Sequence, residues 1–442
     1  MDPVFPLLAF AAAYLGTTRS LGWGLVAVLA VGYFNGVIRA NFLSVFTTFM
    51  FDSAVLGLYV AFFFGRGRQA VGVWSGPAGQ FVVFLIAWPT LLTLLPVNSF
   101  LIQLVALRAT VWYLPVLLIA TRLTAADLSI IARGLGVLNL VALAGGLYVY
   151  FNGVEALYPQ NAVTGIIYMS RDVGDFEYHR VPSFFLNAHG YGGTMLFTLP
   201  LLLGQLFGAR VSSNDRLLAA AGVAAAVAGL LLCAARSPLV VFAIAGLILW
   251  VCSRFSLVVG VGAVGIVAAG VALAATNERL QRAANLEDTE AVSERIRGSA
   301  NEQFFELVGK YPGGAGMGSS VGTSIPYFLA DLAPESIGLE NEYSRILVDQ
   351  GWVGLVGWLA FLVWLLVRPP PRRFAVPWQL GAMMMYALVL TNWATAFLGA
   401  GTLSSVPGAV LLLFQMGVLV AVRGRGIVPG ALPARPAVGP RP

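Results

Sequence analysis

The stretch LENEYSRILVDQGWVGLVGWLAFLVWLLVRPPPRR, residues 339–373, decides the fold. It opens on a polar cluster, runs largely apolar over 346–367, and closes on Arg368, Arg372 and Arg373. An apolar run of roughly 20 residues matches the hydrocarbon core of a bilayer, and arginines at one end mark the cytoplasmic side. The segment therefore reads as a membrane-spanning helix whose polar head, Glu340-Asn341-Glu342-Tyr343, faces outward. Charges held beside a bilayer are costly, which makes that head a candidate working site.

The rest of the chain follows the same pattern. With 58% hydrophobic residues, 10% charged residues and a mean hydropathy of +0.83, a soluble globule is excluded. The apolar runs are helix-length rather than alternating ten-residue strands, so a barrel is excluded as well. Spans are expected over 21–37, 42–64, 80–95, 100–120, 134–150, 191–207, 217–233, 239–252, 256–275, 346–367, 379–398 and 406–422. Arg66, Arg68, Arg122, Arg133, Arg210, Arg216, Arg254, Arg368, Arg372, Arg373, Arg423 and Arg425 alternate consistently onto the cytoplasmic side. The stretch 4–15 falls short of the roughly 20 residues a span needs. The expectation is an all-α polytopic membrane protein of about 12 transmembrane helices with both ends inside, or 13 if 4–15 also crosses.

Residues 1–423 form one helical domain in this reading, and the Pro-, Gly- and Arg-rich stretch 424–442 a disordered cytoplasmic tail. The first residues lack the basic start and the cleavage site of a removable signal peptide. Cys233 and Cys252, both at or within apolar spans, suggest no disulfide framework. The net charge of +6 resides largely in short-loop arginines, a topology signal rather than a nucleic-acid surface. No cofactor is implied: Gly314-Ala-Gly316-Met-Gly318 follows no strand and reads as a turn. No metal is implied either, since no cluster of His, Asp and Glu shows ligand spacing, and Asp331 and Asp349 stand apart.

Two long loops, 151–190 and 276–345, fall on the outer face, where function should be sought. The second contains an amphipathic segment, 294–308, with Ile296, Phe304, Phe305 and Leu307 among charged neighbours, stopped by Tyr311-Pro312-Gly313-Gly314. Such a segment can lie on the bilayer interface, cap a cavity or simply shield the bundle.

Four motifs in this region resemble the O-antigen polymerase and O-antigen ligase superfamily, membrane glycosyltransferases acting on lipid-carried glycans. The first is Arg180-Val-Pro-Ser-Phe-Phe-Leu-Asn187, an arginine, an aromatic stretch and an asparagine before a span. The second is the short outer Arg236-Ser-Pro-Leu239. The third is Arg295-Ile-Arg297, the amphipathic helix, and Tyr311-Pro-Gly-Gly-Ala-Gly316. The fourth is Glu340-Asn-Glu-Tyr343 with Gly351, similar to a ligase pattern that carries histidine where this chain has Glu340; that departure leans toward a polymerase.

The resemblance implies a GT-C-like fold with two large periplasmic loops in a bacterial inner membrane. It implies an undecaprenyl-diphosphate-linked oligosaccharide as donor and a lipid-linked glycan or a lipid A-core as acceptor, met among the membrane lipids.

Chemistry assigns the same residues without the family. A diphosphate leaving group needs its charge stabilised, and a planar guanidinium fork suits phosphate oxygens. Arg180 and Arg236 fit that task, as does Arg108, placed eight residues into its span. The attacking hydroxyl must lose a proton, and Glu340 can accept it. His179 and His189 flank Arg180 and are alternative bases. Arg297 suits glycan or phosphate, Arg345 could orient Glu340, and Tyr343 could stack on a sugar; Asn187 belongs to the first motif.

Plainer uses exist for all of them. Carboxylates favour helix N-termini, interfacial arginines snorkel to headgroups, and aromatics collect at membrane interfaces. A transporter of lipid-linked oligosaccharide is the alternative of another class, although it would more naturally place ionisable groups at the midplane of paired broken helices.

The topology is testable by cysteine scanning with an impermeant thiol reagent in spheroplasts. Positions in 151–190 and 276–345 should label while Arg210, Arg254 and Arg372 positions stay protected; protection of the second loop would overturn the arrangement.

Overall fold

The computed structural model describes residues 3–65, 72–169, 171–173, 178–208, 211–253, 260, 265, 302–320, 325–332, 339, 341–367, 378–399 and 401–425. Its helices are α1 (Val4–Arg19), α2 (Leu21–Asn41), α3 (Val45–Thr48), α4 (Met50–Gly65), α5 (Pro77–Leu92), α6 (Phe100–Val111), α7 (Leu114–Ala120) and α8 (Ala125–Asn152). There follow α9 (Gly165–Met169), α10 (Ala188–Leu206), α11 (Ser213–Leu232), α12 (Arg236–Cys252), α13 (Glu302–Lys310), α14 (Glu342–Leu366), α15 (Gln379–Ala394) and α16 (Gly408–Arg425). A short antiparallel ladder, β1 (Arg171–Val173) with β2 (Tyr178–His179), sits between α9 and α10.

The chain is a helical membrane protein. Five described segments are long and apolar enough to cross a bilayer: α2, the α6–α7 unit, α8, α11 and α14. Shorter apolar helices, among them α1, α4, α5 and α12, pack beside them. Most of the expected 256–275 span and the tail beyond Arg425 lie outside the described residues.

Two segments differ from the sequence expectation for clear reasons. The 100–120 run is not one straight helix. Pro115 lacks the N–H that would continue the ladder, the chain turns at Trp112-Tyr113, and the Tyr59 hydroxyl donates to the Trp112 carbonyl at 2.6 Å. The N-terminal stretch continues past Leu15 to Arg19, a helix of 16 residues and therefore ~24 Å. It runs antiparallel to α2, with the Phe5 and Phe42 rings 4.8 Å apart at one end and Ser20 joining the helices at the other. Ala9, Ala13 and Thr17 are buried along it.

Polar side chains bind the bundle internally. The Tyr33 hydroxyl donates to Asn139 Oδ1 at 2.6 Å, and Asn139 Nδ2 donates to Thr198 at 2.8 Å and to the Gly222 carbonyl at 3.3 Å. One asparagine thereby joins α2, α8, α10 and α11. In an apolar surrounding such groups must satisfy one another.

The central helix of the site, α14, is broken. Gly351 has φ 66° and ψ −170°, which interrupts the helical ladder. Three backbone groups beside the break find partners outside the helix. The Val348 carbonyl accepts from Ala315 N at 2.7 Å, the Gln350 carbonyl from Trp88 Nε1 at 2.9 Å, and Trp352 N donates to the Pro312 carbonyl at 3.2 Å. Asp349 accepts from the amide and hydroxyl of Ser320, while Asn98 Nδ2 donates to the Met317 carbonyl. The glycine-rich run is thus a turn, as its sequence suggests, and residues 312–320 plug the break in α14. A Cβ on Gly351 would lie 2.6 Å from the carbonyl carbon of Gly313, so no larger residue fits.

The amphipathic helix is seen from Glu302 onward as α13: Phe304, Leu307 and Val308 pack on the main core while Phe305 is exposed.

Gly351→Ala adds a Cβ against backbone at a left-handed position, and should cost about 2–4 kcal/mol. The measurement is the thermal midpoint of the purified protein in detergent; a midpoint equal to wild type would overturn the plug.

Candidate functional site

The first motif is an arm fastened along its length. Residues 180–187 leave β2 and pass over α2, where Val37 N donates to the Phe184 carbonyl at 3.1 Å. Gly36 admits this approach: a Cβ there would lie 2.2 Å from the Phe185 carbonyl carbon. The buried Tyr158 hydroxyl lies 2.7 and 2.8 Å from the carbonyl oxygens of Ser183 and Phe185 and donates to them. Burial pushes its ionisation well above the usual phenol range, so it stays a donor. Ser183 itself has φ 52° and donates its hydroxyl to the Ala142 carbonyl at 2.6 Å.

Asn187 caps α10, its side chain accepting from Gly190 N at 2.7 Å. Its role here is to start a helix that holds His189. Arg180 Nη1 stands 3.5 Å from His189 Nε2. A guanidinium only donates, so that contact needs the lone pair on Nε2. His179 points elsewhere, 4.0 Å from Glu155 and edge-on to the Tyr168 ring.

The second motif meets the first across a helix contact. Gly192, one turn into α10, faces Cys233 and Pro238, and Arg180 lies within electrostatic reach of Cys233, three residues before Arg236. Ala234 has φ 50°, which turns the chain sharply so that α12 begins on the half-buried Arg236. Among the described residues Ser183 and Ala234 are the non-glycine residues with positive φ, and each lies within three positions of a motif arginine. Such backbone costs roughly 1 kcal/mol or more per residue.

The fourth motif heads α14. Asn341 caps it, accepting from Tyr343 N at 2.8 Å and Ser344 N at 3.3 Å. Glu342 is buried, accepts from Gly401 N at 2.6 Å and Thr402 N at 3.1 Å, and pairs with Arg345 at 2.8 Å. Arg345 also donates to Ser404 at 3.0 Å. The pair clamps the 401–404 turn onto the helix mouth. Tyr343, expected at the substrate surface, is instead packed between Trp393 and Phe397 with its hydroxyl donating to the Trp393 carbonyl at 2.6 Å. Its helical register carries the ring inward. Glu340, Arg295 and Arg297 lie outside the described residues.

Arg108 belongs to another cluster. Its Nη2 is 2.7 Å from Asp52 Oδ2 and 3.3 Å from the Tyr113 hydroxyl, which donates to Asp52 Oδ1 at 3.0 Å. The turn before Pro115 brings Tyr113 there. Arg39, in the last turn of α2, interacts electrostatically with Arg108 and Asp52. Neither Arg39 nor Asp52 stood out in the sequence. One signal was available for Arg39: it ends an outward-running span, on the side where arginines are not needed for topology.

These clusters are linked through one end of the bundle, by the 180–187 arm on α2, by the 312–320 plug on α14 and by the Phe49–Phe328 ring contact at 6.3 Å. The arrangement suits an anion. Among the described residues no group of three or more His, Cys, Asp or Glu could hold a metal ion.

No curated protein matches the sequence. Residues 221–359 match the O-antigen ligase family model, a region that runs from α11 through α12, α13 and the plug to the middle of α14 and contains the Arg236 and Glu340 motifs. Over that part of its length the chain is therefore similar to the O-antigen ligase family, in line with the resemblance that its motifs carry.

Proposed function

We propose that the chain is a polymerase-type glycosyltransferase. It transfers a glycan from an undecaprenyl-diphosphate-linked donor to a second lipid-linked glycan at the periplasmic face of a bacterial inner membrane. The observation that carries this reading is the coincidence of strain and charge: the left-handed Ser183 and Ala234 flank Arg180 and Arg236. Strained backbone persists where the surrounding structure over-determines it, commonly at a site of action.

In this reading Arg180 and Arg236 hold the donor diphosphate. The acceptor hydroxyl oxygen bonds to the anomeric carbon as the bond from that carbon to the diphosphate oxygen breaks. The bonding pair leaves with the diphosphate, whose charge the guanidinium forks stabilise. The hydroxyl proton passes to Glu340, one peptide bond from the cap of α14. Arg345 acts through the clamp on Glu342, and Arg297 is left for the glycan. His189, already beside Arg180, is the reserve base. The roles a metal could play in such a transfer are assigned to arginines.

The antiparallel packing of α1 on α2 supports a thirteenth crossing, with the first residues outside. The matched family's description favours a second reading, ligation to lipid A core. The break in α14 resembles the broken helices of transporters, but the chain's own 312–320 turn fills it.

The deciding experiment supplies a synthetic polyprenyl-diphosphate glycan, alone and then with a lipid A-core acceptor, and reads products by mass spectrometry. Elongation of the donor alone is expected; transfer only to core would replace the polymerase with the ligase, and no transfer would remove both.

Arg180→Lys and Arg236→Lys should each lose roughly tenfold or more in rate, because an ammonium cannot reproduce the fork. Glu340→Gln should lower turnover by about 10² at unchanged thermal midpoint. Glu342→Gln should do the opposite, lowering the midpoint by breaking a buried pair worth about 3 kcal/mol. Wild-type rate in Glu340→Gln would shift the base to His189.

A further inference from the structure

Two arginines share one carboxylate where the last turns of α2 and α6 meet the first turn of α4. Asp52 is already engaged by Arg108 at 2.7 Å and by the Tyr113 hydroxyl at 3.0 Å. Arg39 interacts electrostatically with Arg108, Asp52, Tyr113 and Tyr327, yet its Nε, like that of Arg108, is shielded from solvent and meets no acceptor among the described residues. Among the described residues, two guanidiniums against one carboxylate leave a positive charge over. A cation unmatched at a membrane mouth is costly to maintain and marks a place for an anion.

The surroundings say what kind of anion. Arg108 lies over the Phe49 ring at 5.7 Å, and Phe328 of the second outer loop meets that ring edge-on. The Arg108 guanidinium is thus framed by aromatics, and both forks suit phosphate oxygens. Directly after Arg39 the chain exposes Phe42, Leu43, Val45 and Phe46. Four apolar residues beside a cationic cluster suit a molecule with an apolar chain and a phosphate head.

We propose that Arg39 and Arg108, set around Asp52, form a second phosphate site built from residues other than Arg180 and Arg236, and that it holds a lipid-borne phosphate whose chain lies along residues 42–46. The site deepens the transfer reading, in which the acceptor as well as the donor carries a lipid diphosphate, and depends on that reading only for which lipid it takes. The shared chemistry is a phosphate on a lipid, either a polyprenyl diphosphate or an ordinary anionic phospholipid.

The test uses the purified full-length protein in detergent and native mass spectrometry, with two sugar-free probes, a polyprenyl diphosphate and phosphatidylglycerol. In an Arg180→Gln/Arg236→Gln background, one of the two lipids should still bind. Adding Arg39→Gln or Arg108→Gln should weaken it by about tenfold or more, as expected for a lost charge-assisted contact. Polyprenyl diphosphate binding assigns the site to a substrate, and phosphatidylglycerol binding to a membrane lipid. Arg39→Lys, which keeps the charge and stem, should weaken binding by a smaller factor and serves if Arg39→Gln does not fold. Binding of neither lipid in the background, or equal binding with and without Arg39, overturns the proposal. Because the probes carry no sugar, this outcome is read separately from the transfer assay.

Discussion

A backbone polar group in an apolar surrounding must find a partner within the protein, and the break at Gly351 makes that demand at the centre of the site. A helix interrupted there leaves carbonyls and an amide open. The chain answers with its own 312–320 turn and with Trp88, and the consequences reach outward. The plug fixes residues 312–320 against α14, Asp349 holds Ser320, and Asn98 ties the turn to the start of α6. Above the break, the short upper half of α14 is set by Asn341 and by the Glu342–Arg345 clamp. The head of the fourth motif therefore has its position determined from below by backbone and from the side by charge.

The same logic governs the arginines. Neither Arg180 nor Arg236 rises from a regular helix interior. Each is delivered by a short irregular segment whose backbone is held by specific partners: Tyr158, Ala142 and Val37 for the arm, and the contact of Gly192 with Cys233 and Pro238 for the turn. Rigid irregularity of this kind fixes a guanidinium more narrowly than a flexible loop would, and a fork loses its advantage over a point charge unless it is aimed.

Much of this was legible in the sequence, for reasons that can be named. The helical membrane class announces itself in the length and hydropathy of the apolar runs. The motif asparagines could be placed but not interpreted: Asn187 and Asn341 are helix caps, a role visible only once the helix starts are known. Tyr343 could be read two ways because a tyrosine near a bilayer interface has two good homes, and only helical register says that this one faces Trp393 and Phe397. Arg39 went unnoticed because its significance lies in its neighbours. Asp52 and Arg108 are distant in sequence and meet it only through tertiary packing.

The polar chain Tyr33–Asn139–Thr198 also bears on how the protein is made. Helices enter a membrane in order of synthesis, N-terminal first. When α2 has been inserted, the Tyr33 hydroxyl has no partner until α8 arrives, and the amide of Asn139 then waits for α10 and α11 to supply Thr198 and the Gly222 carbonyl. During that interval the nascent bundle carries unsatisfied hydrogen-bonding groups that hold its early helices loosely and favour capture of the later ones. Assembly is thereby given a checkpoint: the framework under the Arg180 arm closes only after more than half the helices are in place.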